Sequence, residues 1–266
     1  FSFWINWDSY FILSGSIVVI NLLKVIFTFL FFILFKSSVK KITFTLLLAL
    51  LLNINYSQVV SDSVTLGSGL PNQVFYQLSS GTKTTATNQD WDLQFFSSLF
   101  SASIRINGGE GVELFQAGST DTSNFSTATL DTSTLIPLRD GYASWEQDAF
   151  TSQQTGHPNY GWGVYQGVGN IVAIKVYAIK LTSGVYKKIR IDQFTTSGTV
   201  TFSVANLDGT SLVTKTLNRS TYNTKRHFYY DIENDSVIDC EPAKTQWDMV
   251  FRQYSDLAGP SYYSVS

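Results

Sequence analysis

The feature that constrains this chain most is a short unit written twice, Trp91-Asp92-Leu93-Gln94-Phe95 and Trp247-Asp248-Met249-Val250-Phe251. An aromatic run and a polar turn precede each copy: Phe75-Tyr76-Gln77-Leu78 then Ser79-Ser80-Gly81, and Tyr229-Tyr230-Asp231-Ile232 then Glu233-Asn234-Asp235. Aromatic strand, polar turn, polar strand and closing Trp-Asp-x-x-Phe together make one supersecondary unit. Period-two alternation puts Trp91, Leu93 and Phe95 on one face of a half-buried strand, and Trp247, Met249 and Phe251 on one face of another. Asp92 and Asp248 fall on the opposite face, where a carboxylate can tie down a neighbouring turn. Both tryptophans then read as core anchors, and Met249 as core filling. A propeller is excluded, because its blades recur roughly every 40–45 residues and these copies lie much further apart.

Elsewhere from Gln58 on, Ser/Thr/Gly/Asn/Asp clusters punctuate short Val/Ile/Tyr/Phe runs, which is strand and turn chemistry. Ser103-Ile104-Arg105-Ile106, the turn Asn107-Gly108-Gly109 and Gly111 to Phe115 read as a local hairpin. Residues 116–157 read as a long surface excursion with one short helix near Ser144–Phe150. Asn170 to Lys180 reads as one long strand. Further strands follow at Val185–Ile191, Gly198–Ala205 and Leu212–Lys215, the last two joined by a turn at Asn206-Leu207-Asp208-Gly209. With no βαβ pattern between them, the expected fold is all-β, an antiparallel β-sandwich-like domain built of hairpins. The strand-like run Ser261–Ser266 has no closing element after it, which predicts an unpaired edge and a chain cut from a longer reading frame.

The amino end is different in kind. Ile17 to Phe35 is almost continuously apolar and of membrane-spanning length. Lys40-Lys41 followed by apolar Ile42–Leu52 has the parts of a signal peptide. The sequence holds no Met before Met249. The expected organisation is therefore residues 1–38 as upstream reading frame or a membrane helix, 39–57 as a signal peptide started at Val39, and 58–266 as the all-β domain. Cleavage near Ser57 would place the domain outside the cell, and the membrane is met only through the export segment.

Charge narrows the partners. From Gln58 on there are 14 Lys/Arg and 19 Asp/Glu, a net charge of about −5, with no basic stripe, so nucleic acid is not expected. One cysteine, Cys240, allows neither an intrachain disulfide nor a multi-cysteine zinc site. There is no G-x-S-x-G, no H-E-x-x-H and no phosphate-cradling glycine loop. Asp92 and Asp248 are better explained by the duplication than as an acid/base pair. No enzyme, no catalytic residue and no resident metal are expected.

The two Trp-Asp units, Ser103–Gly109, Tyr160-Gly161-Trp162-Gly163-Val164-Tyr165 and Tyr186-Lys187-Lys188 together resemble the HmuY-like family, secreted or surface β-proteins of Bacteroidota. The resemblance covers roughly residues 62–266 and is closest to members carrying a type IX secretion sorting domain. It implies a sandwich-like fold, an exported protein that meets the type IX machinery, and haem capture through axial His or Met. Two departures stand out: no lipoprotein Cys is present, and no His or Met matches a family ligand position. His157 leads into Tyr160, Trp162 and Tyr165, the arrangement a haem or other planar ligand would use, since imidazole ligates iron and rings stack on the macrocycle. His227, on an expected edge strand, is the second ligand candidate. The simpler readings are a solvated loop histidine with the aromatics buried beneath it for His157, and a plain edge-strand histidine for His227. The rival function is an adhesive or polysaccharide-binding module that holds a glycan on exposed Trp and Tyr. Asp62-Ser63-Val64 and Asp235-Ser236-Val237 resemble O-glycosylation acceptors of the same bacterial group.

Overall fold

The computed structural model describes residues 60–116, 122–141, 143–258 and 261–265. The chain divides into two compact units, Phe1–Val64 and Thr65–Ser266. The export segment expected over 1–57 lies outside the described residues. No helix among them is long and apolar enough to cross a membrane.

The second unit is all-β, and every strand pair is antiparallel. Its strands run in order β1 (Asn72–Gln77), β2 (Thr82–Thr87), β3 (Leu93–Phe96), β4 (Ile104–Ile106), β5 (Glu113–Gln116), β6 (Ile136–Leu138), β7 (Gly163–Tyr165), β8 (Asn170–Ala173), β9 (Tyr177–Lys180), β10 (Tyr186–Thr195), β11 (Thr199–Asn206), β12 (Val213–Asn218), β13 (His227–Asp231), β14 (Ser236–Ile238), β15 (Met249–Phe251), β16 (Tyr254–Ala258) and β17 (Ser261–Val265). They form a large curled sheet, β12-β11-β10-β9-β5-β6 with β8 on β10 and β7 on β8. A four-stranded sheet β14-β13-β3-β4, a three-stranded sheet β15-β1-β2 and the hairpin β16-β17 complete it.

The duplicated units do not close themselves. β3, which follows Trp91, pairs with β13 of the second unit, Phe95 opposite Phe228. β15, which follows Trp247, pairs with β1 of the first, Phe251 opposite Val74. The exchange repeats in detail. Asp92 N–H donates to the Tyr230 carbonyl at 2.9 Å, and Asp248 N–H to the Tyr76 carbonyl at 2.8 Å. Asp92 Oδ2 accepts from the Ile232 N–H at 2.7 Å, and Asp248 Oδ2 from the Leu78 N–H at 2.8 Å. Trp91 packs on Tyr229 with centroids 5.0 Å apart, and Trp247 on Phe75 at 5.3 Å. Each Trp-Asp unit thus anchors the turn of the other unit's hairpin. Both indoles are core, 2% and 4% exposed.

The two strands differ in burial. Trp91 to Phe95 is buried on both faces, Asp92 and Gln94 included, so β3 is a fully buried strand and not a half-buried one. Met249 is 39% exposed, against its expected place in the core. β15 serves a three-stranded sheet, in which Val250 and Phe251 are only half-buried.

The main core lies where β3 and β13 face β10 and β11. Phe95 stacks on Phe228 (5.3 Å) and Phe202 (5.6 Å) and approaches Phe194 (6.4 Å). A second cluster, Phe115, Phe125, Leu130, Val176, Ala178 and Ala205, draws on the 122–130 segment. Leu130 N–H donates there to the Leu207 carbonyl at 2.8 Å. The 116–157 stretch is therefore only partly a surface excursion. Phe125 and Leu130 seal this cluster, β6 extends the large sheet, and Ala149 and Phe150 enter the main core. Ser144–Phe150 forms turns, not a helix.

Three more expectations are corrected. β4 and β5 are not a hairpin: β4 pairs with β3, and β5 with β9 and β6. The intervening Asn-Gly-Gly is a corner between sheets. Asn107 Nδ2 donates to the Asn88 and Trp91 carbonyls at 2.6 and 2.9 Å, and a Cβ on Gly109 would lie 2.2 Å from the Gln253 carbonyl oxygen. The strand expected over 170–180 breaks into β8 and β9. Past Val172 the pairing with β10 lapses while Ile174 N–H stays with the β7 side, donating to the Trp162 carbonyl at 3.0 Å, and β10 bulges between Ile191 and Gln193. Such breaks let a sheet curl. Finally, the run at 261–265 is not an unpaired edge, since β17 pairs with β16.

Candidate ligand-binding site

The structure brings together three of the five residues expected to bind a planar ligand. His157 is exposed in the loop before β7. Its Nδ1 lies 3.4 Å from the Tyr160 hydroxyl, and its ring centroid 5.1 Å from that of Tyr165. The Tyr165 hydroxyl accepts from the Gly169 N–H at 3.2 Å, which holds that ring. Trp162 is not part of this cup. It is fully buried, donates from Nε1 to the Ala102 carbonyl at 2.9 Å and packs 4.9 Å from Phe194. Its glycine neighbours make this possible: a Cβ on Gly161 (φ 86°) would lie 2.7 Å from the Phe150 carbonyl oxygen.

His227 is also withdrawn. β13 is an inner strand of its sheet, not an edge, and the imidazole is 2% exposed among Phe96, Trp145 and Trp247. Nδ1 lies 2.8 Å from Glu241 Oε2, which also accepts from the Tyr229 hydroxyl at 3.1 Å. Burial lowers the His227 pKa and outweighs the neighbouring carboxylate. Such a histidine is a structural hydrogen-bond partner sealed from a macrocycle.

A second place was not singled out by the sequence reading. A cavity of about 320 Å³ opens where the Trp91 strand meets the turn between β13 and β14. Asp90, Asp92, Asp231 and Glu233 line it, with Trp91 and Asn234, and no Lys or Arg does. Asp92, Asp231 and Glu233 are held in place. Asp231 accepts from Asn234 N–H at 2.9 Å and Nδ2 at 2.6 Å, and Glu233 accepts from the Ser183 hydroxyl. Burial pushes the Asp92 carboxyl up to about 6, the Ile232 N–H opposes this, and the charges of Asp231 and Glu233 add to it.

The duplication provides an internal control. By strand register, Gln77, Ser79 and Gln246 occupy in one unit the places that Asp231, Glu233 and Asp90 occupy in the other. Gly81 (φ 68°) and Asp235 (φ 55°) share even the left-handed corner of the turn. The same scaffold is thus built with and without the three extra carboxylates, so the turn itself does not require them. Aligning the two copies would have exposed the difference.

A third group holds the 140–151 loop. Arg105 Nη1 donates to the carbonyls of Ser144, Trp145 and Gln147, each at 3.3 Å, and Nη2 to that of Gly141 at 3.1 Å. Asp148 accepts from the Ser103 hydroxyl and from Thr151 Oγ1 at 2.8 Å. Burial pushes its carboxyl up to about 7. The folded chain then holds protons there, and at Asp92, that the unfolded chain releases near pH 4. That contribution to stability is full below about pH 4 and falls as pH rises toward 7, whereas buried neutral His227, its pKa lowered, costs stability as pH falls below about 6.5. Urea titrations should show the wild-type unfolding free energy falling by on the order of 2 kcal/mol more between pH 5 and pH 8 than that of Asp148→Asn.

Among the described residues no three His, Cys, Asp or Glu side chains are placed to hold a metal ion. No family model, curated protein or solved structure matches the chain.

Proposed function

We propose that this is an exported, non-enzymatic binding protein of HmuY-like type, and that it holds a polysaccharide-type ligand in the cavity beside Trp91. The carboxylates that only one of the two duplicated turns carries are the observation that supports this reading. Asp231 and Asn234, fixed by their own turn, and Glu233, held by Ser183, can accept from and donate to the hydroxyls of a sugar, and their alignment costs little when it is pre-set. Catalysis is not proposed. Asp92, the cavity carboxylate with a raised pKa, is 5% exposed and spends Oδ2 on the Ile232 N–H.

A glycan array of the full chain tests the reading. Asp231→Asn with Glu233→Gln should weaken the best ligand by about tenfold for each charge-assisted hydrogen bond lost, and Ser79→Ala in the sister turn should leave binding unchanged. No glycan signal, or equal losses from both turns, would count against it.

The second reading is haem or another planar ligand at His157, supported by the one exposed imidazole flanked by two tyrosines. A Soret shift with haemin that disappears in His157→Ala but survives His227→Ala would favour it. Export, and delivery through the type IX machinery, stand with the resemblance and the signal-like 39–57 segment. Amino-terminal sequencing of the mature protein tests them, and a terminus near Gln58 is expected.

A further inference from the structure

We infer that a small monovalent anion of halide size binds between Trp91, Arg105 and Arg252, beneath the Trp145 ring, at a site separate from the sugar cavity. Arg252 is packed between two indoles, its guanidinium centre 5.1 Å from the Trp91 ring and 5.5 Å from that of Trp145. Nη2 donates to Gln94 Oε1 at 2.8 Å, whereas Nη1 is buried with no partner. Arg252 has no ion pair among the described residues. Arg105 has one, its Nε lying 3.4 Å from Asp140 Oδ2.

The other orphaned groups around Arg252 are donors too. Trp91 Nε1 and Gln94 Nε2 are buried without an acceptor, in side chains 2% and 0% exposed. A small, partly open space of about 20 Å³ is lined by Trp91, Arg105, Asp140 and Arg252, by the 106–109 corner and by residues 253–255. That volume admits one water-sized particle. Buried donors without acceptors are costly, and a buried guanidinium with no counter-charge in contact, Asp140 and Glu241 acting on it only at a distance, more so. An anion answers both needs, where water would answer only the first. Asp140 also faces the space, but its oxygens are engaged: Oδ1 accepts from Ala149 N–H at 2.9 Å and Oδ2 from Ile106 N–H at 3.2 Å. Burial raises its pKa, which weakens its opposition to a neighbouring anion. The bound ion would join the strand after Trp247 to the strand after Trp91.

Thermal unfolding of the full chain tests this, in sodium chloride or bromide against sodium gluconate at equal ionic strength. Halide should raise Tm by about 5 °C at saturation. Sulfate, too large for the space, should not. Trp91→Phe and Arg252→Lys should each lose most of the increment, and the remote Lys215→Met should keep it. Equal Tm in chloride and gluconate would overturn the proposal, as would an unchanged increment in both variants. If those variants fail to fold, anomalous scattering from bromide-soaked crystals decides: a peak between Arg252 and Trp91 supports the site, and water there overturns it.

Discussion

Trp91→Ala is expected to cost about 3–5 kcal/mol of folding stability, the range for removing a large buried aromatic. The ring is 2% exposed, leans on Tyr229 at 5.0 Å and carries the Arg252 guanidinium at 5.1 Å. Its loss opens a void between a sheet and a buried cation, and neither can collapse into it cheaply. Trp247→Ala should cost less, because its sheet has three strands and its flanking Asp248 and Met249 are exposed. Urea unfolding measures both. A Trp91 cost below about 1 kcal/mol would mean that the indole is not the anchor described.

Arg219→Met is expected to cost about 3 kcal/mol, through unpaired carbonyls rather than lost volume. Arg219 is 1% exposed and has no carboxylate partner among the described residues. Its guanidinium donates to the carbonyls of Ser98 (2.8 Å), Ser101 (2.9 Å), Leu99 (3.4 Å) and Thr195 (2.9 Å), and lies 4.8 Å from the Phe194 ring. Burial lowers its pKa to about 10. The clamp fixes the loop that presents Phe100, 94% exposed, to solvent. Limited proteolysis should therefore cut the variant first between Ser98 and Ser101. An unchanged cleavage pattern would show that the loop holds itself.

Local chemistry was legible in the sequence wherever the partner lies nearby in the chain. β10, β11 and β12 and the Asn206–Gly209 turn fall where alternation and turn residues put them. The role of Asp92 and Asp248 as turn anchors was also readable, because a carboxylate beside a buried strand has few other uses. Which turn each one anchors was not. Antiparallel pairing between residues some 130 to 180 apart leaves no periodic mark, so each Trp-Asp unit was assigned to its own hairpin and not to its copy's. The same blindness joined β4 to β5, since Asn-Gly-Gly marks a hairpin and a sheet-to-sheet corner alike. Trp162 and His227 were offered to a ligand because both look functional beside aromatics, and burial, which withdraws them, is a tertiary property. The cavity carboxylates were visible as residues, but Asp90 and Asp231 become neighbours only through the exchange.

That exchange carries the account, because the cavity is assembled from the Trp-Asp strand of one unit and the hairpin turn of the other. Hydrogen exchange at two backbone amides tests it most directly. In Asp92→Ala the Ile232 amide should exchange at least about tenfold faster while the Leu78 amide keeps its protection, and in Asp248→Ala the response should reverse. Acceleration of Leu78 in Asp92→Ala, with Ile232 unmoved, would mean that each unit anchors its own turn and would contradict the exchange.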